Sequence, residues 1–338
     1  MAETKNNNQY VALARKYRPQ RFEDLLGQDA LVQTLTNAIK NNRLHHAYIL
    51  TGIRGVGKTT TARLIARAIN CIGPDGKGGP TIHPCGECEN CKAIAADRHI
   101  DVIELDAASK TGVDDMREIL DGVKYKPVSA RYKVYIIDEV HMLSKSAFNA
   151  LLKTLEEPPA HVKFIFATTE IRKVPVTILS RCQRFDLERL SIETLTTLFK
   201  KVLAAEKIDA EEEALHLVAR AADGSARDGL SMLDQAIVLG DGKIDLKITK
   251  HALNQLEIDE IGLDETDRKM LNMMIVQYSG RPVGIEALAS SLGEEIDTIE
   301  DVYEPYLLQI GFIARTPRGR QVLPPAYQHL GYDYQTKI

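Results

Sequence analysis

Eight consecutive residues, Gly52-Ile53-Arg54-Gly55-Val56-Gly57-Lys58-Thr59, carry the spacing G-x-x-x-x-G-K-[ST] of a phosphate-binding loop. Glycines there let backbone N–H groups close around α- and β-phosphates, Lys58 has the reach for the β/γ-phosphates, and the Thr59 hydroxyl is a ligand for Mg²⁺. Thr60, next in the chain, is counted with the nucleotide-binding residues. The flanks suit the motif. Tyr48-Ile49-Leu50-Thr51 reads as a buried strand entering the loop, and Thr59 to Asn70 as a helix leaving it, with Ala62, Ile65, Ala68 and Ile69 on one face.

Further along, Val134-Tyr135-Ile136-Ile137-Asp138-Glu139 is an apolar strand ending in two carboxylates. Asp138 is suited to hold Mg²⁺ through water and Glu139 to polarise the water that attacks a γ-phosphate, a reaction in which positioning and electrostatics supply most of the catalysis. Phe164 to Thr169 reads as another strand, ending in Thr168 and Thr169, whose hydroxyls can orient that water or sense the γ-phosphate. A plain β-branched strand end is the alternative. Arg181, in Ser180-Arg181-Cys182, sits where a guanidinium can project from the domain edge toward a neighbour's phosphate; a surface ion pair is the alternative. Arg227, in Gly224-Ser225-Ala226-Arg227-Asp228, starts a helix and can reach a γ-phosphate, or else pair with Asp228 or Asp223.

Four of the five cysteines cluster as Cys71 and Cys85-x-x-Cys88-x-x-Cys91, which is metal-ligand spacing. Two overlapping C-x-x-C steps bring three thiolates together, and Cys71 can close a tetrahedral Zn²⁺ site with no open position for chemistry. Residues 73–80 between them have almost no side chains to bury, so the metal would anchor this 71–91 knuckle. His83 is a competing ligand, a redox cluster is the alternative reading, and Cys182 is left over.

The elements that must position these groups follow from the pattern. Apolar runs at Val102–Leu105, Val134–Ile137, Phe164–Ala167 and Phe185–Leu187 alternate with helical patterns, which implies an α/β fold with a parallel sheet covered on both faces. Residues 1–190 therefore read as an ATPase core and 191–256 as a helical lid. The rest, 257–338, reads as a winged helix with helices Ile285–Leu292 and Asp297–Gln309 and a wing from Phe312 to Leu323. Residues 257–304 hold 13 acids and 3 bases, whereas 305–332 hold no acid and the three arginines Arg315, Arg318 and Arg320. Those arginines are expected to bind DNA phosphates; a solvated basic turn is the alternative. With 338 residues, 44% apolar and 27% charged, and a net charge of -4, any nucleic-acid contact must come from such a local patch. No apolar run is long enough to span a membrane, and Met1 to Asn8 is polar, so a cytoplasmic location is expected.

Together these motifs, with Ala12-Leu13-Ala14-Arg15-Lys16-Tyr17-Arg18-Pro19 ahead of them, resemble the gamma/tau subunits of the bacterial DNA polymerase III clamp loader, which are AAA+ ATPases. The resemblance implies ATP, Mg²⁺ and Zn²⁺ as cofactors, Arg181 as a trans-acting arginine finger, Arg227 as a lid sensor, and Arg18-Pro19 as part of the adenine pocket. It also implies other AAA+ subunits in a ring, DNA, the sliding clamp and polymerase III subunits as partners. From about Ala252, including Gly311-Phe312-x-x-Arg315-Thr316-Pro317-Arg318-Gly319-Arg320, the chain instead resembles the RuvB branch-migration motor's winged-helix C-terminus, where the clamp-loader family would carry a helical collar. The pattern is chimeric, with its seam between 241 and 257. A clamp-loader-like ATPase is the leading reading. A RuvB-like motor is the second, and a non-catalytic DNA-tethering module the third.

Overall fold

The computed structural model describes residues 10–109, 112–259 and 261–334; the polar stretch Met1–Asn8 and Glu260 of the second resemblance lie outside them. The chain packs as two compact units, one made of residues 1–198 and 224–231, the other of 199–223 and 232–338.

In the first unit, β1 (Ala47–Thr51), β2 (Val102–Asp106), β3 (Lys133–Asp138), β4 (Val162–Thr168) and β5 (Gln183–Asp186) form one sheet in the order β2-β3-β4-β1-β5. Every neighbouring pair is parallel. Side chains alternate across each strand, so β1 sends Tyr48 and Leu50 to a core with Leu64, Ile65, Ile136 and Ile165. Ala47 and Ile49 go to the opposite core, with Tyr135, Phe148, Leu151, Phe164 and Phe166. Burial on both faces explains why β1, β3 and β4 read as apolar runs. The fifth strand lies slightly earlier than its apolar run suggested. It is an edge strand in which Phe185 alone is buried, and polar neighbours hid its start.

Register then aligns the carboxyl ends. Thr51 is level with Thr168, Ile137 with Phe166, and Asp106 with Asp138. The loops after β1, β3 and β4 therefore emerge side by side, the edge at which parallel α/β sheets bind ligands.

In the second unit, helices Glu212–Ala221 and Leu246–Gln255 accompany a short parallel pair, β6 (Asp209–Ala210) and β7 (Lys243–Ile244). Beyond them, Glu265–Val276, Ile285–Leu292 and a segment running from Ile296 to Gln309, with a π-helical stretch at Ile299–Tyr303, enclose Met270, Leu271, Met274, Leu288, Ile299 and Leu307. The first of these helices starts with a capping box between Asp264 and Asp267. An antiparallel hairpin, β8 (Ile313–Thr316) with β9 (Gly319–Val322), forms the wing. Val283 bonds both ways to Arg320, at 2.8 and 2.7 Å, adding a short third rung. A Cβ at Gly319, where φ is +124°, would lie 2.2 Å from the Val283 carbonyl oxygen, so only glycine fits there.

The wing does not present its three arginines equally. Glu304 is fully buried and pairs with Arg315, at 2.7 Å, and with Arg320, which also holds Glu300 at 2.5 Å. Arg320 keeps only 13% of its side chain exposed, against 55% for Arg315. Burial alone would lower the Arg320 pKa, but the hydrogen bonds and charges of Glu304 and then Glu300 outweigh it and raise the value. Arg318 stands exposed at the turn. Of the three arginines expected at DNA phosphates, Arg320 has its guanidinium engaged within the module, because a buried carboxylate demands a partner.

Candidate nucleotide site and cysteine cluster

The phosphate loop leads into helix Lys58–Asn70 as its motif requires. Lys58 is 6% exposed, and its ammonium donates to the carbonyls of Gly52 and Ile53 at 2.9 and 3.0 Å. Burial lowers its pKa; Glu139 and Asp138 pull the other way, while Arg227 and Arg54 add to the lowering. A Cβ at Gly57 would meet nothing within 4 Å, so the loop opens onto free space there. Gly55 is tight instead. A Cβ on it would stand 2.0 Å from Ser225 Oγ, because residues 224–231 lie on the loop, with the Arg227 N–H donating to Gly55 O at 3.3 Å. Arg227 itself is exposed, and Thr60 is half-buried in the first helical turn.

Across the sheet edge, Thr59 Oγ1 donates to Asp138 Oδ2 at 2.6 Å, and Asp138 Oδ1 accepts the Glu139 N–H at 3.0 Å. Two oxygen ligands suited to Mg²⁺ thus come from separate elements to one point. Glu139 has φ +45°, a left-handed conformation costing about 1–3 kcal/mol in a non-glycine residue, of the kind that clusters at working sites. Its Oε2 accepts from the backbone N–H and the hydroxyl of Thr169 at 3.0 and 3.1 Å. Thr168 is fully buried, its Oγ1 2.9 Å from His141 Nδ1. The two threonine hydroxyls are therefore engaged by Glu139 and His141.

Cations gather beside the loop. Burial lowers the Arg18 pKa, and nearby Arg63 and Arg227 lower it further against the opposing charge of Glu104. Arg63 is itself held by Glu104 at 2.6 and 2.8 Å and by Asp97 at 3.1 Å. An excess of positive charge at the mouth of an open phosphate loop suits a polyanion, so the residues fit a nucleotide triphosphate with Mg²⁺. Pro19 is half-buried next to Arg18. Sequence reasoning passed over Arg63, although it stands one helical turn after Thr59, and it gave His141 no role. Arg181 pairs with Glu156 at 2.6 Å and donates to Thr177 O at 2.6 Å, with 30% of its side chain exposed.

The sulfurs of Cys71, Cys85, Cys88 and Cys91 all lie within 4.8 Å of one another. Backbone N–H groups of Gly73, Cys85, Cys88 and Cys91 point at them at 3.3–3.4 Å, a donor set that favours thiolates. Burial opposes ionisation of Cys85, yet the N–H groups of Cys88 and Glu87 and the neighbouring thiols bring it down to about 7. Burial pushes Cys91 up to about 12. Four soft ligands in one closed cluster fit tetrahedral Zn²⁺. His83 takes no part: its exposed ring pairs with Glu23. Burial raises the Cys182 thiol to about 12.

No helix among the described residues is long and apolar enough to cross a membrane. Residues 27–191 match the family described as DNA polymerase III, delta subunit, and 195–242 the ATPase lid domain of the DNA polymerase III clamp loader subunit. Residues 260–331 match the RuvB C-terminal winged helix domain. DNA polymerase III subunit tau/gamma of Haemophilus influenzae is 53% identical over 73% of this chain and 35% of its own length. DNA polymerase III subunit gamma of Buchnera aphidicola subsp. Baizongia pistaciae is 44% identical over 75% of this chain and 67% of its own. The chain thus spans between 35% and 67% of the length of these curated relatives. The Thermotoga maritima RuvB Holliday junction branch migration motor superposes with a TM-score of 0.73 at 29% identity, covering 94% of this chain and 99% of that one. The sheet, lid and phosphate loop are those of an AAA+ fold. The chain belongs to the DNA polymerase III gamma/tau family of clamp-loader subunits, and ends in a winged helix of the RuvB type.

Proposed function

We propose that this chain binds and hydrolyses ATP as an AAA+ subunit acting on DNA, in the cytoplasm, in the manner of the subunits that load a sliding clamp for replication. The observation that carries the reading is the 2.6 Å contact of Thr59 with Asp138, beside Glu139 and the open phosphate loop. ATP supplies the phosphoanhydride, and Mg²⁺ the charge that screens its phosphates. Lys58 would exchange loop carbonyls for phosphate oxygens, Thr59 and, through water, Asp138 would hold the metal, and Glu139 would turn from Thr169 to orient water. Arg18, Pro19 and Arg227 complete the nucleotide pocket. Cys71, Cys85, Cys88 and Cys91 would hold Zn²⁺ as a structural pin. Other AAA+ subunits, the clamp and polymerase III subunits are the protein partners on this reading.

Arg181 is assigned to a neighbour's nucleotide, which makes assembly testable. Mixing Arg181→Ala with Lys58→Ala chains should restore turnover that neither has alone, since a mixed interface pairs an intact loop with an intact finger. No rescue in oligomers shown to be mixed would remove the trans finger. A finger is worth roughly 10³-fold or more, so even partial rescue is measurable.

A second reading, a branch-migration motor, draws on the winged helix and on the RuvB structural likeness, but the ATPase part is far more similar to gamma/tau. A purely tethering role sits poorly with intact Lys58, Asp138 and Glu139. For DNA, Arg318 and the exposed part of Arg315 are the proposed phosphate contacts. Arg318→Ala should flatten the log-log salt slope of duplex binding by about 0.9 and leave the melting temperature unchanged. Arg320→Ala should instead lower the melting temperature, because Glu304 keeps only Arg315 and one of its buried carboxylate oxygens loses its partner. An unchanged slope in the first variant would take Arg318 off the DNA.

A further inference from the structure

His141 lies where the segments that follow β3 and β4 meet. Its side chain is 6% exposed, with Nδ1 2.9 Å from Thr168 Oγ1 and 3.4 Å from Glu139 Oε2, and Nε2 3.1 Å from Glu170 Oε1. The Glu170 N–H donates to Thr168 Oγ1 at 3.0 Å, and Lys173 pairs with the Glu170 carboxylate at 2.7 Å. For a neutral ring these groups set the hydrogen-bond directions. A carboxylate only accepts, so Nε2 carries the ring proton toward Glu170. In the neutral ring Nδ1 then offers a lone pair, and the Thr168 hydroxyl, already accepting from Glu170, donates into it. That same lone pair faces Glu139 Oε2 and cannot bond it, which leaves Thr169 as the donor of both hydrogen bonds the carboxylate receives there.

We propose that His141 is a positioning residue for hydrolysis, locking the ends of β3 and β4 together so that Glu139 can be held by Thr169 and released toward the reacting water in one defined geometry. The proposal rests on the ATPase reading above. It assigns His141 no contact with nucleotide: Lys58, Thr59 and Asp138 bind without it. Loss of the ring takes away the acceptor of the Thr168 hydroxyl, leaves the Glu170 carboxylate to Lys173 alone, and loosens the Thr168-Thr169 turn that grips Glu139. The damage should fall on the chemical step.

Steady-state turnover and ATP affinity of full-length His141→Ala, His141→Asn and His141→Gln chains, alongside wild type, test this. His141→Ala should lower kcat roughly 10–100-fold, the usual effect of removing an outer partner of a working group, with ATP affinity and melting temperature nearly unchanged. Asparagine places an amide near the Nδ1 position and glutamine near Nε2, so His141→Asn should recover most of kcat and His141→Gln little. A His141→Ala chain with wild-type kcat, a loss confined to ATP affinity, or losses in all three variants that track melting temperature would overturn the proposal. Wild type without turnover in the same assay would overturn the ATPase reading itself, and this inference with it.

Discussion

Lys58→Ala should abolish nucleotide turnover and weaken ATP binding, whereas Glu139→Gln should keep binding and lose hydrolysis. The two variants separate because their side chains do different work. Lys58 is the cation buried in the phosphate loop, satisfied here by two loop carbonyls, and backbone dipoles alone cannot replace its charge at the β/γ-phosphates. Loss of one such electrostatic contact costs roughly 10²–10³-fold or more in rate. Glutamine at 139 can still accept from the Thr169 N–H and hydroxyl, so the loop after β3 should keep its shape. It cannot act as a carboxylate toward water, and general-base losses run to about 10²–10⁴-fold. Nucleotide titration and phosphate release decide between them. Equal loss of binding in both variants would overturn the division of roles.

The other large effect is expected from the cysteine cluster. Elemental analysis of reduced protein should find one Zn²⁺ per chain, and Cys88→Ser or exhaustive chelation should release it together with the order of the 71–91 segment. Structural zinc contributes about 10–16 kcal/mol in small zinc-finger peptides, and here much of that stabilisation would be concentrated in a loop with little core of its own. The pH dependence has a definite sign. Zn²⁺ takes thiolates, and Cys91 is pushed to about 12 by burial while Cys85 lies near 7, so affinity should rise with pH and binding should release protons. A metal-free protein of full stability would remove the knuckle from the account.

Legibility followed the range of each interaction. The phosphate loop, the Asp138-Glu139 pair, the C-x-x-C steps and the wing turn are contiguous spacings, and short-range geometry makes such spacings meaningful in any fold that contains them. Strands were readable because burial on both sheet faces leaves apolar runs, and β5 was blurred because an edge strand need not show one. The wing arginines were legible as charge but not as destination. Whether a guanidinium faces DNA or a buried carboxylate depends on Glu304, which lies on another element, 16 positions before Arg320.

The sequence by itself determined the chemistry on offer: a phosphate loop, two carboxylates at a strand end, four clustered thiols and a basic wing joined to a clamp-loader-like core. Tertiary structure decided how those groups are wired. Thr59 meets Asp138 across 79 positions, Glu139 meets Thr169 across 30, and His141 meets Thr168 across 27. Those pairings follow from the strand order β2-β3-β4-β1-β5 and its register, which bring distant strand ends to one edge. Hydrophobic periodicity marks which residues are buried, but carries no record of which strand lies beside which.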